Sequence, residues 1–296
     1  MRLPTCWIAI GLAALACAGR QGPALCVLDR AAGAGRPDAD TWIALLLRGY
    51  DARSRRVTSP PIDCTGAQVR WEGPALRCDD TRAASTLLPD RPVTAGDVLA
   101  TPVSPDTTLV WIATTRYATG DASGPVALVS DAGSQLRVLA LGALRAYPQG
   151  GRLRLEDLGT TKVLVADGDS CAGGDRDRCV RASRVVPLRG DRFAPAPLVG
   201  QQGQCLSPAW FELARRERRR VRWGWERTEF AASMSFVAGR LLVEEQLAVH
   251  DVPDGGDEHS SVFHRAQSTR EVRWDRDRLV GSGTPLWSRV AHGEEP

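Results

Sequence analysis

His250 and Asp251, followed by Asp254, Asp257, Glu258, His259 and His264, form the densest group of metal ligands and acid/base groups in the chain. Imidazole nitrogens and carboxylate oxygens are the donor set of hydrolytic metal sites. The spacing argues against that chemistry. No H-E-x-x-H sets two imidazoles on one helical face, and Pro253-Asp254-Gly255-Gly256-Asp257 has the composition of a turn. The expectation is a polar hairpin loop with no metal. Metal-assisted hydrolysis through His250, Asp251, His259 or His264 is the alternative. Asp167-Gly168-Asp169 and Asp175-Arg176-Asp177 gather carboxylates that suit calcium, but Cys171 stands where an EF-hand loop needs an acid, so a disulfide-closed surface turn is expected. The chain carries no G-x-S-x-G elbow, phosphate loop or dinucleotide glycine motif. No catalytic residue and no cofactor are therefore assigned.

The elements that must position these groups read as β-structure. Short apolar or alternating runs recur between Gly, Pro and Asp punctuation, the pattern of a mainly antiparallel all-β protein built as a sandwich, a barrel or a propeller-like array. Trp42-Ile43-Ala44-Leu45-Leu46-Leu47 reads as a buried strand, and Ala67 to Trp71 alternates. Leu109 to Thr115 and Val126 to Val129 flank a Gly/Asp/Pro turn. Glu229 to Phe236 turns at Ala238-Gly239-Arg240 into Leu241 to Val249. Ser207-Pro208 reads as a helix start, serine as cap and proline in the first turn, so one short helix is expected near 208–220. Its cationic end, Arg215 to Arg222, suits the helix dipole, and anionic headgroups are the sharper reading of that run.

Leu153-Arg154-Leu155-Glu156-Asp157-Leu158-Gly159 followed by Val163-Leu164-Val165 resembles a fragment of the FG-GAP type of propeller repeat. Thr160-Thr161 replaces that family's Asp-Gly-Asp loop, so the resemblance implies no calcium there.

Charge excludes one class of partner. Lysine and arginine number 38 against 35 acids, a net charge of +3. Lys162 is the sole lysine and asparagine is absent, the bias of a GC-rich genome. Nucleic acid binding needs a concentrated basic face, which this balance does not supply. Among the tryptophans, Trp71, Trp111, Trp223, Trp225, Trp274 and Trp287 fall on or near expected strands, where rings fill a core or line a sugar-binding surface.

The first residues address the chain to the envelope. Arg2 precedes an apolar run from Cys6 to Leu15, within the roughly 7 to 15 residues of an export signal and short of the about 20 that span a bilayer. Ala14-Leu15-Ala16-Cys17 resembles the lipobox of bacterial lipoproteins. The resemblance implies lipidation at Cys17 and, with Ala18 following, the outer membrane. Plain secretion is the alternative. Removal of Cys6 and lipidation of Cys17 leave Cys26, Cys64, Cys78, Cys171, Cys179 and Cys205, an even set in an exported chain. Proximity in sequence pairs Cys64 with Cys78 and Cys171 with Cys179, leaving Cys26 for Cys205. No C-x-x-C spacing points to zinc.

The expected organisation is a signal peptide over 1–16, a flexible tether over 17–40, a disulfide-bearing β domain over 41–205, and a basic helix with C-terminal hairpins over 206–296. That last piece is either separate or part of the same domain. The expected role is non-enzymatic binding or envelope structure, with an envelope protein or glycan as partner; a glycan-binding module is the second alternative.

Overall fold

A computed structural model describes residues 24–31, 35–71, 86–170, 179–207, 209–222, 224–254 and 260–291. The signal segment, Cys17, Cys78, Cys171, Asp175 to Asp177, Pro208, Trp223, Asp257, Glu258 and His259 lie outside the described residues.

The fold is all-β, with two α-helices among the described residues. The first half comprises β1 (Cys26–Asp29), α1 (Ala39–Leu46), β2 (Leu47–Arg48), β3 (Ile62–Asp63), β4 (Val98–Ser104), β5 (Thr107–Ile112), β6 (Thr115–Arg116), β7 (Ala122–Asp131) and β8 (Gln135–Ala146). The second comprises β9 (Gln149–Leu158), β10 (Thr161–Asp169), β11 (Val180–Arg189), β12 (Arg192–Phe193), β13 (Leu198–Val199) and β14 (Cys205–Ser207). It continues with β15 (Trp210–Val221), β16 (Gly224–Val237), β17 (Arg240–Pro253), β18 (Ser261–Asp275), β19 (Arg278–Gly281) and α2 (Leu286–Ala291). Strand pairings are antiparallel except β8 with β12 and β13 with β19.

Alternation along the strands builds the layers. On β5, Val110 and Ile112 point to a core shared with α1, while Leu109 and Trp111 point to a core shared with β10 and β11. β10 repeats the device, with Leu164 and Ala166 facing β5 and Val163 and Val165 facing the opposite way. There they meet Leu241, Val243, Val272 and Leu279 from the turn ends of β17 to β19. The chain thus stacks α1, the β4-β5-β7-β8-β1 sheet, the β9-β10-β11 sheet and the folded-back ends of β16 to β19. Each fully buried aliphatic side chain in these layers stabilises the fold by roughly 1.5–3 kcal/mol.

The second sheet does not stop at β11. Trp210 to Arg215 pair with β11, and β15 to β19 then follow as a meander. β19 pairs with β13 and β13 with β14, which leads back toward β15. Pairing therefore crosses the expected boundary at 205/206, and the core facing β10 draws on both sides of it. Ala238 and Gly239 join β16 to β17 with φ of 49° and 74°, the left-handed pair that a two-residue hairpin requires.

Four expectations are corrected. Trp42 to Leu46 is helical, because Asp38 caps α1: its Oδ1 accepts from the Thr41 backbone N–H at 2.8 Å and from the Thr41 hydroxyl at 2.6 Å. Those hydrogen bonds hold the Asp38 carboxyl below its usual range. The expected helix near 208–220 is β15, since β11 on one side and β16 on the other supply ladder partners that outweigh local helix signals.

The expected tether contains β1, whose residues Cys26 to Asp29 pair with Val138 to Gln135 of β8. Finally, Cys26 is bonded to Cys64, with Cα atoms 6.2 Å apart and a sequence separation of 38. This replaces the pairings of Cys64 with Cys78 and of Cys26 with Cys205. β1 lies against β8 and α1 in the core to which Cys64 also packs, so spatial adjacency overrides proximity along the chain. Cys179 and Cys205 each take part in a disulfide as well.

Two buried arginines are held without solvent. Arg145 Nε donates to Asp121 Oδ2 at 2.5 Å, both side chains being buried, and its guanidinium lies 3.7 Å from the Tyr117 ring centroid. Arg184 sits between the rings of Trp71 and Trp210, at 4.8 and 4.6 Å. Such charges are tolerated only where pairing and π-faces replace water.

Candidate functional site

Neighbouring residues of a strand project to opposite faces of its sheet. On β16 and β17, Phe230, Leu247 and Val249 are buried on one face, where Leu286 and Trp287 of α2 cover them. The alternate residues therefore stand on the other face. The register arranges them in three rows across the strands. The first row runs Arg181, Ala214, Ala231, Gln246, Gln267; the second Arg216, Glu229, Ala248, Arg265; the third Arg218, Arg227, His250, Val262.

Relief follows from side-chain length. Ala214, Ala231 and Ala248 occupy the middle of the first two rows, and arginine and glutamine stand at their ends. The short methyl groups leave a floor and the long chains form walls. The resulting groove has a volume of about 900 Å³, within the size range of ligand sites. With strands about 4.8 Å apart, the first row spans roughly 19 Å from Arg181 on β11 to Gln267 on β18.

Electrostatics favour negative charge. Five arginines and one carboxylate, Glu229, stand on these three rows. Arg216 approaches Glu229 at 2.9 Å, Arg227 at 3.2 Å and His250 Nε2 at 3.5 Å. Glu229 is thereby neutralised by its neighbours. Arg181 and Arg265, on opposite walls, have no ion-pair or hydrogen-bond partner among the described residues. One row further along, Ser233 pairs with Glu244, and the serine hydroxyl donates to the carboxylate at 3.3 Å. At the other end Trp225, 37% exposed, lies within 5.2 Å of the Arg220 guanidinium and 5.9 Å of that of Arg218.

The histidine cluster does not assemble. His264 pairs with Val249, so it shares the face covered by α2, whereas His250 projects into the groove. The Nε2 atoms of both are buried without a hydrogen-bond partner. Asp254 is engaged by Arg220 at 2.5 and 3.2 Å. Among the described residues, no group of three or more His, Cys, Asp or Glu is placed to hold a metal ion. Asp167 and Asp169 belong to β10 and not to a surface turn, and Arg154 lies 3.3 Å from Asp167 Oδ2. Gly168 between them permits close passage of the backbone, since a Cβ there would stand 2.0 Å from the Tyr147 carbonyl oxygen.

The arginine run is a paired ladder. Arg219 contacts Glu226 of β16 at 3.1 Å, and Arg215 contacts Glu212 at 3.1 Å. Of the tryptophans singled out, Trp111 and Trp287 are buried and Trp71 and Trp274 half-buried, each of these last two beside an arginine. Trp225 is the exposed one among those described. Sequence reasoning missed the groove itself. Its only trace is an alanine at Ala214, Ala231 and Ala248 in otherwise polar alternation, which gains meaning once the register is known.

No family model, curated protein or solved structure matches the chain. No helix among the described residues is long and apolar enough to cross a membrane. The site therefore defines a class only, an all-β protein with an alanine-floored, cationic groove on one sheet face.

Proposed function

We propose that the chain is an exported, lipid-anchored envelope protein that works by binding, with the β15 to β18 groove as its ligand surface. The anchor rests on the apolar run into Ala16-Cys17. The binding role rests on one observation: an alanine floor between arginine and glutamine walls, on a sheet whose other face is already packed. A hydrolase centred on His250 and His264 lacks support, because the two imidazoles leave opposite faces of the sheet.

The test has two arms. The full chain, expressed in a Gram-negative host, is expected to take up labelled palmitate, and Cys17→Ser is expected not to; equal labelling overturns the anchor. Cys17→Ser protein is then mixed with purified envelope fragments. It is expected to sediment with them, whereas addition of Ala231→Trp, which fills the groove floor, releases it. Equal sedimentation with and without Ala231→Trp overturns the binding surface.

A further inference from the structure

We infer that the groove takes an anionic oligosaccharide, its charge carried by carboxylate or phosphate groups; this rests on the groove being the ligand surface. Arg181 and Arg265 stand on opposite walls with no acidic partner among the described residues, while Glu229 inside the groove is occupied by Arg216, Arg227 and His250. A guanidinium presents a planar fork that matches carboxylate or phosphate oxygens in two parallel hydrogen bonds. Two such forks, carried by strands four spacings apart, suit a ligand that carries more than one negative charge.

Shape selects between carriers of that charge. The charged walls stand above a recessed alanine floor, so a flat bilayer surface meets the rim and leaves the floor empty. A chain of sugar rings enters it. Gln246 and Gln267 lie on the first row with Arg181, and each amide offers donors and an acceptor to ring hydroxyls. The exposed ring of Trp225 lies beyond the third row on the same face, where an aromatic surface packs against the apolar face of a sugar.

Titration calorimetry of the full chain carrying Cys17→Ser tests the assignment. The probes are hexameric oligogalacturonate, the same oligomer with its carboxylates reduced to alcohols, a phosphorylated mannose oligomer, and phosphatidylglycerol vesicles. Binding is expected to oligogalacturonate or to the phosphorylated oligomer, which identifies carboxylate or phosphate as the charge, and to weaken with ionic strength. The neutral oligomer is expected not to bind. Arg181→Gln and Arg265→Gln are each expected to weaken binding about tenfold, the loss of one charged hydrogen-bonding group. Arg192→Gln, on an exposed position that does not line the groove, is expected to change nothing.

Equal binding of the neutral oligomer, unchanged affinity in both arginine variants, or binding of the vesicles alone overturns the proposal. If release of envelope fragments by Ala231→Trp persists in that case, the groove still binds and only the ligand class has failed. If that release is also absent, the groove reading itself has failed.

Discussion

Arg270 Nε donates to Glu245 Oε1 at 2.9 Å, with both side chains at 4% exposure or less, and the second carboxylate oxygen accepts the Leu286 backbone N–H at 2.9 Å. One buried carboxylate thus joins β17 to β18 and pins the start of α2. That helix in turn places Trp287 against Phe230, ring centroids 6.2 Å apart, and beneath the Arg215 guanidinium at 4.3 Å.

Removing either partner strands the other charge in a dry site. Glu245→Ala is expected to lower stability by about 3–5 kcal/mol and to release α2, seen as increased exposure of Trp287 to a fluorescence quencher. The double replacement Glu245→Leu with Arg270→Met removes both charges and is expected to recover most of the loss, because no uncompensated ion remains. Chemical denaturation of the three variants checks both statements. A double variant as unstable as the single one refutes the ion-pair account.

The bond between Cys26 and Cys64 closes a 38-residue separation, which in the loop-entropy treatment destabilises the unfolded chain by roughly 4 kcal/mol. Non-reducing peptide mapping of exported protein is expected to recover this linkage and not Cys64 with Cys78. Cys26→Ser with Cys64→Ser is expected to cost about 2–5 kcal/mol, with the loss concentrated in β1 and α1 and read by faster amide exchange there.

Tyr50 donates to Asp40 Oδ1 at 2.6 Å, and its phenol is pushed up to about 12 by burial first and then by that hydrogen bond and the Asp40 charge. Because the folded value lies above the unfolded one near 10, the folded state favours the protonated phenol. The stabilisation is complete below the unfolded value and is lost as pH rises from there through about 12. Tyrosinate absorbance of the protein minus that of Tyr50→Phe is expected to show the transition near 12. Asp40→Ala is expected to lower it only in part, since burial, the larger cause, persists. A transition near 10 in the parent protein refutes the assignment.

Alternation and turn residues, both local properties, determined the β class. Leu109 to Ile112 and Val126 to Val129 read as strands and are strands, because a short apolar run bounded by turn residues fills a strand buried on both faces; Leu241 to Val249 is one because every second residue faces the core. Ala238-Gly239 marked its hairpin for the same kind of reason: two adjacent residues must accept positive φ.

Tertiary structure decided whatever depends on a partner distant in sequence. Trp42 to Leu46 is an unbroken apolar run whose periodicity does not separate buried helix from buried strand, and the Asp38 cap settles it. Ser207-Pro208 carries a helix-start signal, yet β11 and β16 flank the residues that follow and satisfy their backbone groups as a ladder. Cys26 finds Cys64 because β1 docks on β8, an arrangement with no trace in cysteine spacing. The groove exists only as a register. Arg181, Ala214, Ala231, Gln246 and Gln267 come from five strands, and a one-residue slip in any of them would turn its side chains to the opposite face.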